Sequence, residues 1–176
     1  SLLNGNSREI EAALQEHRID LGLVEGICRL PNLRYTTFLQ DELVAVVHTG
    51  SKLSLPDEIT PEDLSRIPLV LRERGSGTLD VFERALSEHN MKLSSLNVLL
   101  YLGSTESIKL FLEHTDCIGI VSIRSISHEL LSGTFRVIEI KGMPMLREFC
   151  FAQPQGQESG LSQVLMQFAM HHNKKL

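Results

Sequence analysis

The feature that most constrains this chain is a repeated change of hydrophobic period. Short apolar runs, such as DLGLV (20–24), IPLVL (67–71), LNVLLYLG (96–103) and CIGIVS (117–122), alternate with segments whose apolar residues recur at helical spacing. These runs read as strands, CIGIVS as a buried one and DLGLV, apolar on both faces, as a parallel strand covered on both. A chain that alternates strand and helix almost throughout buries both by laying helices over largely parallel sheets, so an α/β architecture is expected.

The helix signals are local and chemical. Asn6 and Glu9 have the spacing of a capping box, and Ile10, Ala13, Leu14 and His17 follow at helical intervals. Thr60 with Pro61 and the acids behind it marks a helix start. A helix over 78–90 turns Leu79, Val81, Phe82 and Leu86 inward, and STESIKLFLEHT forms another, capped by Ser104 or Thr105. IRSISHELLSG is a helix ended by Gly133, and GLSQVLMQFAMHHNKK closes the chain as an amphipathic helix. TFRVIEI and LREFCFAQ read as strands, and SLLNGNS as the tail of a strand entering the first helix.

One irregularity breaks the alternation. The β-rich stretches near 39–48 and 145–153 have no clear helix between their parts, as when a chain crosses from one α/β lobe to another and later returns. Ligands of open α/β sheets sit beyond the carboxyl ends of the strands, so two such lobes face a cleft.

Composition removes several functions. The 176 residues, 42% hydrophobic and 22% charged, suit one domain or two small lobes. Net charge is −5, from 17 basic and 22 acidic residues, with no basic stripe for nucleic acid. Lys174-Lys175 reads as a solvated tail. Cys28, Cys117 and Cys150 are odd in number and far apart, which predicts free thiols in a reducing cytoplasm and no disulfide framework or zinc site. No apolar run approaches the roughly 18 residues of a membrane span, and no signal peptide opens the chain. The opening residues carry no initiator Met, so the chain reads as a fragment of a larger protein.

Enzyme motifs are missing too. There is no G-x-x-x-x-G-K-[ST], GSGTLD holds only part of a dinucleotide fingerprint, and RGSGT is not a nucleophile elbow. None of the seven histidines falls in H-E-x-x-H, and His171 and His172 point about 100° apart on a helix. No catalytic residue, metal site or cofactor is expected.

Two strand–helix junctions stand out. In RERGSGT the glycines permit close backbone approach, while Ser76 and Thr78 supply hydroxyls. GSTES repeats the arrangement at Gly103–Ser107. Each is readable as a plain capped turn. Each is equally readable as part of an anion cradle, since helix N-termini attract a carboxylate, phosphate or sulfate.

The succession EIEAALQEHRIDLGLVEG, DELVAVVHTGSKLS, LVLRERGSGT, STESIKLFLEHTDCIGIVS and LREFCFAQ resembles the effector-binding domain of LysR-type transcriptional regulators, over essentially the whole chain. The resemblance implies an α/β fold of two Rossmann-like lobes with a double hinge crossing, periplasmic-binding-protein type II-like. Lobe I would comprise 1–44 and 147–176 and lobe II 45–146, with the first strand and first helix of lobe I missing. A small effector would bind in the inter-lobe cleft and modulate transcription. DNA would be bound only through a winged helix-turn-helix that this chain lacks. The intact protein would be a cytoplasmic homodimer or tetramer.

Carried over by position, Ser76, Gly77 and Thr78 would line lobe II's side, with Ser104 and Thr105 at the next helix start and Glu25 facing them from lobe I. Arg147 would sit at the return crossing, with a structural ion pair as its alternative. The hydroxyl-rich junctions point to an anionic metabolite. The competing readings are a transport-type solute-binding protein, and an enzyme on a related two-lobed scaffold.

Overall fold

The computed structural model describes residues 2–25, 30–156 and 160–173; Cys28 and Lys174-Lys175 lie outside them. The chain folds as two compact units, one of Ser1–Gln40, Gly75–Gly77 and Arg147–Leu176, the other of Asp41–Arg74 and Thr78–Leu146.

The first unit opens with α1 (Ser7–Gln15), started by the expected capping box: Asn6 accepts from the Glu9 N–H at 3.1 Å, and the Asn6 N–H donates to Glu9 Oε2 at 2.9 Å. Residues 2–6 join no sheet, contrary to their reading as a strand tail. The helix stops before His17, whose positive φ of 54° marks the turn out of it. β1 (Gly22–Glu25) pairs antiparallel with β8 (Met145–Pro154), Val24 facing Cys150. Ile10 and Leu14 of α1 cover Val24, Leu33, Cys150 and Ala152.

DLGLV is thus neither parallel nor doubly covered. It lies at the end of the strand order, and Leu23 is 49% exposed. A short apolar run carries no signal separating an edge strand from a central one.

Strands β2 (Leu33–His48) and β8 are the two long β-rich stretches, and each runs from one unit into the other. In the second unit β2 pairs antiparallel with β6 (Ile118–Ser122). Next to β6 lies β4 (Leu69–Arg72), then β5 (Val98–Leu102), all three parallel. On its other side β2 pairs with β7 (Phe135–Ile140), which also takes the short β3 (Glu58–Ile59) as a parallel partner.

Helices cover both faces of this sheet. Leu79, Phe82 and Leu86 of α2 (Gly77–Glu88) pack with Leu43, Leu69, Leu71, Ile118 and Ile120. Ile108 and Leu112 of α3 (Thr105–His114) pack with Val46, Val70, Val121 and Phe135 on the other face. Thr60 and Pro61 do start a helical turn, but a 3-10 one, with Asp63 accepting from both the Thr60 N–H and hydroxyl at 2.9 Å. The expected IRSISHELLSG helix is broken into a 3-10 turn and α4 (Ser127–Leu131), ended as anticipated near Gly133, φ +71°. Ser122 and Ser125 explain the break: the Ser122 hydroxyl accepts from Arg124 N–H, and the Ser125 hydroxyl donates to the Ser122 carbonyl, tightening the turn. α5 (Gly160–Asn173) closes the described chain. Cys117 and Cys150 are free and buried, and burial pushes the Cys117 thiol up to about 11.

Candidate functional site

β4 and β5 run parallel, with Arg72 in register with Leu102, so the loops that leave them emerge at one edge of the second unit's sheet. The first of these loops enters α2, the second α3. The junction at Gly103–Ser107 therefore opens at the carboxyl-end edge, where α/β sheets hold ligands; the other leaves the same edge through Arg72 and Glu73, and its residues Gly75–Gly77 group with the first unit.

At the α3 start, Ser104 is the N-cap and accepts from the Ser107 N–H at 3.1 Å; its hydroxyl is also 2.8 Å from that of Ser107. The capping alternative is decided for Ser104, which leaves Thr105 as the first helical residue. Half-buried, Thr105 has no hydrogen-bond partner for its hydroxyl among the described residues. At the α2 start Thr78 is buried, 4% exposed, and Ser76 is 1% exposed. They are enclosed groups, not the freely exposed loop hydroxyls that a surface turn would carry.

Arg72 was not among the residues suggested by sequence, yet it ends β4 at this edge. Its guanidinium holds Glu73 through two bonds, Nε to Oε2 at 2.9 Å and Nη2 to Oε1 at 3.2 Å, and Nη2 reaches the Gly103 carbonyl at 3.4 Å. The Glu73 N–H donates to the Leu102 carbonyl, so the two junctions are tied together. Ser122, ending β6 at the same edge, was also missed; its hydroxyl donates to the buried Asp41 at 2.8 Å. The signal was present in both cases: a polar residue closing an apolar strand.

In the first unit Glu25, Gly77 and Arg147 come together. A Cβ on Gly77 would lie 2.2 Å from the Glu25 carbonyl oxygen, so only glycine allows this loop to lie against the end of β1. Ser7 fastens the same strand end, its hydroxyl donating to the Glu25 carbonyl at 2.7 Å and accepting from the Glu25 N–H at 3.1 Å. The Glu25 carboxylate meets Arg147 Nη1 at 2.6 Å, and the Arg147 side chain is 3% exposed, stacked 4.9 Å from the centre of the Phe149 ring. The ion-pair alternative for Arg147 is realised. No group of three metal-ligating side chains is present among the described residues.

With this geometry in view, comparison with known proteins decides the family. Residues 1–174 match the LysR substrate binding domain. The chain belongs to that family. The domain is 33% identical over 136 residues to the uncharacterized HTH-type transcriptional regulator YeiE of Escherichia coli K12, covering 77% of this chain and 45% of that protein. It spans about half the length of the curated relatives it matches. Among solved structures it superposes on the regulatory domain of CcmR from Synechocystis PCC6803 in complex with 2-PG, with a TM-score of 0.82 at 24% identity, over 97% of this chain and 81% of that one. The effector-binding domain of QuiR with shikimate gives 0.82 at 20% identity, over 99% and 81%. The domain thus has the α/β, periplasmic-binding-protein type II-like fold of LysR substrate-binding domains. No helix of its described residues is long and apolar enough to cross a membrane.

Proposed function

We propose that this domain senses a small anionic effector, and that the anion sits where α2 and α3 begin. The observation that carries the reading is the parallel register of β4 and β5, which sends the loops leading to α2 and α3 out at one sheet edge. Thr105 supports it with a hydroxyl that no described neighbour engages, and Arg72, though paired with Glu73, brings guanidinium N–H donors to the same edge. Thr78 and Ser104 shape the two helix starts, and Ser76 and Gly77 lead into α2. Glu25 and Arg147 neutralise each other, so in this reading they position the strand end under Gly77. The 2-PG and shikimate held by the structural neighbours suggest phosphate and carboxylate groups as the class to try.

The wider role follows the family. The domain acts in the cytoplasm without catalysis, as the sensing and dimerisation part of a regulator whose DNA contacts come from a separate helix-turn-helix domain. An effector that favours one arrangement of the regulator shifts its population, and thereby its hold on DNA.

Calorimetry with 2-PG, shikimate and inorganic phosphate tests the site. For whichever anion binds, Thr105→Ala should weaken affinity about tenfold, the worth of one hydrogen bond to a charged group. Thr105→Ser should restore most of it. Equal affinities for the wild type and Thr105→Ala would contradict the assignment.

A further inference from the structure

A second candidate site, a cavity of about 480 Å³, lies wholly within the second unit, on the β2–β7 side of its sheet. It owes its existence to the divided pairing of β7. That strand follows β2 from His48 to Ala45, matched with Phe135 to Ile138, and then departs to pair Glu139 and Ile140 with β3. The turn at Gly142–Pro144 carries the chain onward into β8. Beside Glu42–Val44 of β2, a wedge is left open.

Val46 is paired with Val137, so Val44, two residues earlier, shares a face with Val137; beyond the end of that register Glu42 and Glu139 line the same cavity. Val44, Val137 and Ile123 form a half-buried apolar floor, with Met143 and Met145 buried behind it. Glu42 and Glu139 are exposed at the rim, and among the described residues neither carboxylate has an ion-pair or hydrogen-bond partner. No lysine or arginine lines the cavity. The basic residues next in sequence are spoken for: Arg124 lies 4.0 Å from Asp41, and Lys141 lies 3.9 Å from Glu58.

We propose that this wedge is a second ligand site, for a small aliphatic amine or guanidine: the stem lies on the Val44–Val137–Ile123 floor and the cationic head meets Glu42 and Glu139. Volume and lining suit a small molecule, and two unengaged carboxylates over an apolar floor complement a cation on a hydrocarbon stem. The chemistry is opposite in sign to that of the anion edge, so one domain would read two classes of small molecule.

Methyl-resolved NMR on the domain tests this with hexylamine and agmatine as probes and hexanoate as the anionic control. Both cations should shift the methyl resonances of Val44, Val137, Ile123 and Met143 saturably, and hexanoate should not. Glu42→Gln with Glu139→Gln should raise the Kd of hexylamine at least tenfold while leaving the rest of the spectrum in place. The proposal fails if these methyls do not respond to either amine, if hexanoate binds as well as hexylamine, or if the double variant binds hexylamine unchanged.

Discussion

Arg147 shows what one side chain does when it is taken almost wholly out of water. Its charge is matched by Glu25 at 2.6 Å and its plane by Phe149, so removing it takes from Glu25 the guanidinium it pairs with. Arg147→Ala should lower the free energy of urea unfolding by about 3 kcal/mol, the cost of breaking a largely buried ion pair from one side. Replacing both at once, Glu25→Gln with Arg147→Met, should cost clearly less. Equal losses in the two variants would show that the pair's charge is not what matters. The sequence offered Arg147 two roles without deciding between them, because an arginine beside a strand crossing looks the same in either. Gly77 was equally ambiguous: its glycine could have served a turn or a ligand, and the structure gives it a third use, clearance for the Glu25 carbonyl.

Among the elements, α3 and α4 are clasped by Lys109, which meets Glu129 at 2.6 Å and Glu106 at 3.1 Å. The Lys109 hydrogen bond holds the Glu129 carboxyl below its ordinary value, against the opposing effect of burial. For Lys109 burial is the largest influence and acts downward, but the bonds to Glu129 and Glu106 outweigh it and its pKa is raised. A carboxylate with a lowered folded pKa stabilises above its unfolded value and loses that contribution as pH falls through the folded one. The raised lysine stabilises below its unfolded value and loses its contribution only in strong alkali. Glu129→Gln should therefore cost about 1–2 kcal/mol in chemical denaturation at pH 7, and progressively less as pH falls through the lowered folded value and the wild-type carboxylate is protonated as well. An undiminished difference at low pH would mean that the substitution acts through packing.

Element identity was legible wherever the chemistry was local. The Asn6–Glu9 box, the Ser104 cap and the inward face of α2 all follow from spacing alone. What escaped depends on partners distant in the chain. DLGLV could not announce that no described strand pairs with its outer edge; the first turn of IRSISHELL, tightened by the hydroxyls of Ser122 and Ser125, is the local exception, because serines serve caps and helix interiors alike. The division of β7 between β2 and β3, which opens the second cavity, depends on pairings more than eighty residues apart in sequence for the Ala45–Ile138 match.

For the molecule as a whole, net charge sets the demand on the anion site. A chain carrying −5 gives an approaching anion no long-range help, so affinity must come from short-range donors at one place. In the proposed site the starts of α2 and α3, with the Arg72 donors at the same edge, would meet this demand, and the family membership explains why a ligand is expected at all. A titration of the 15N-labelled domain with 2-PG, shikimate and phosphate, followed by amide chemical shifts, is the most direct test. The account predicts that a binding anion gives its largest shifts at Thr78, Thr105, Glu106 and Ser107, and that these amides saturate together. Saturable binding that leaves all four unmoved would contradict it.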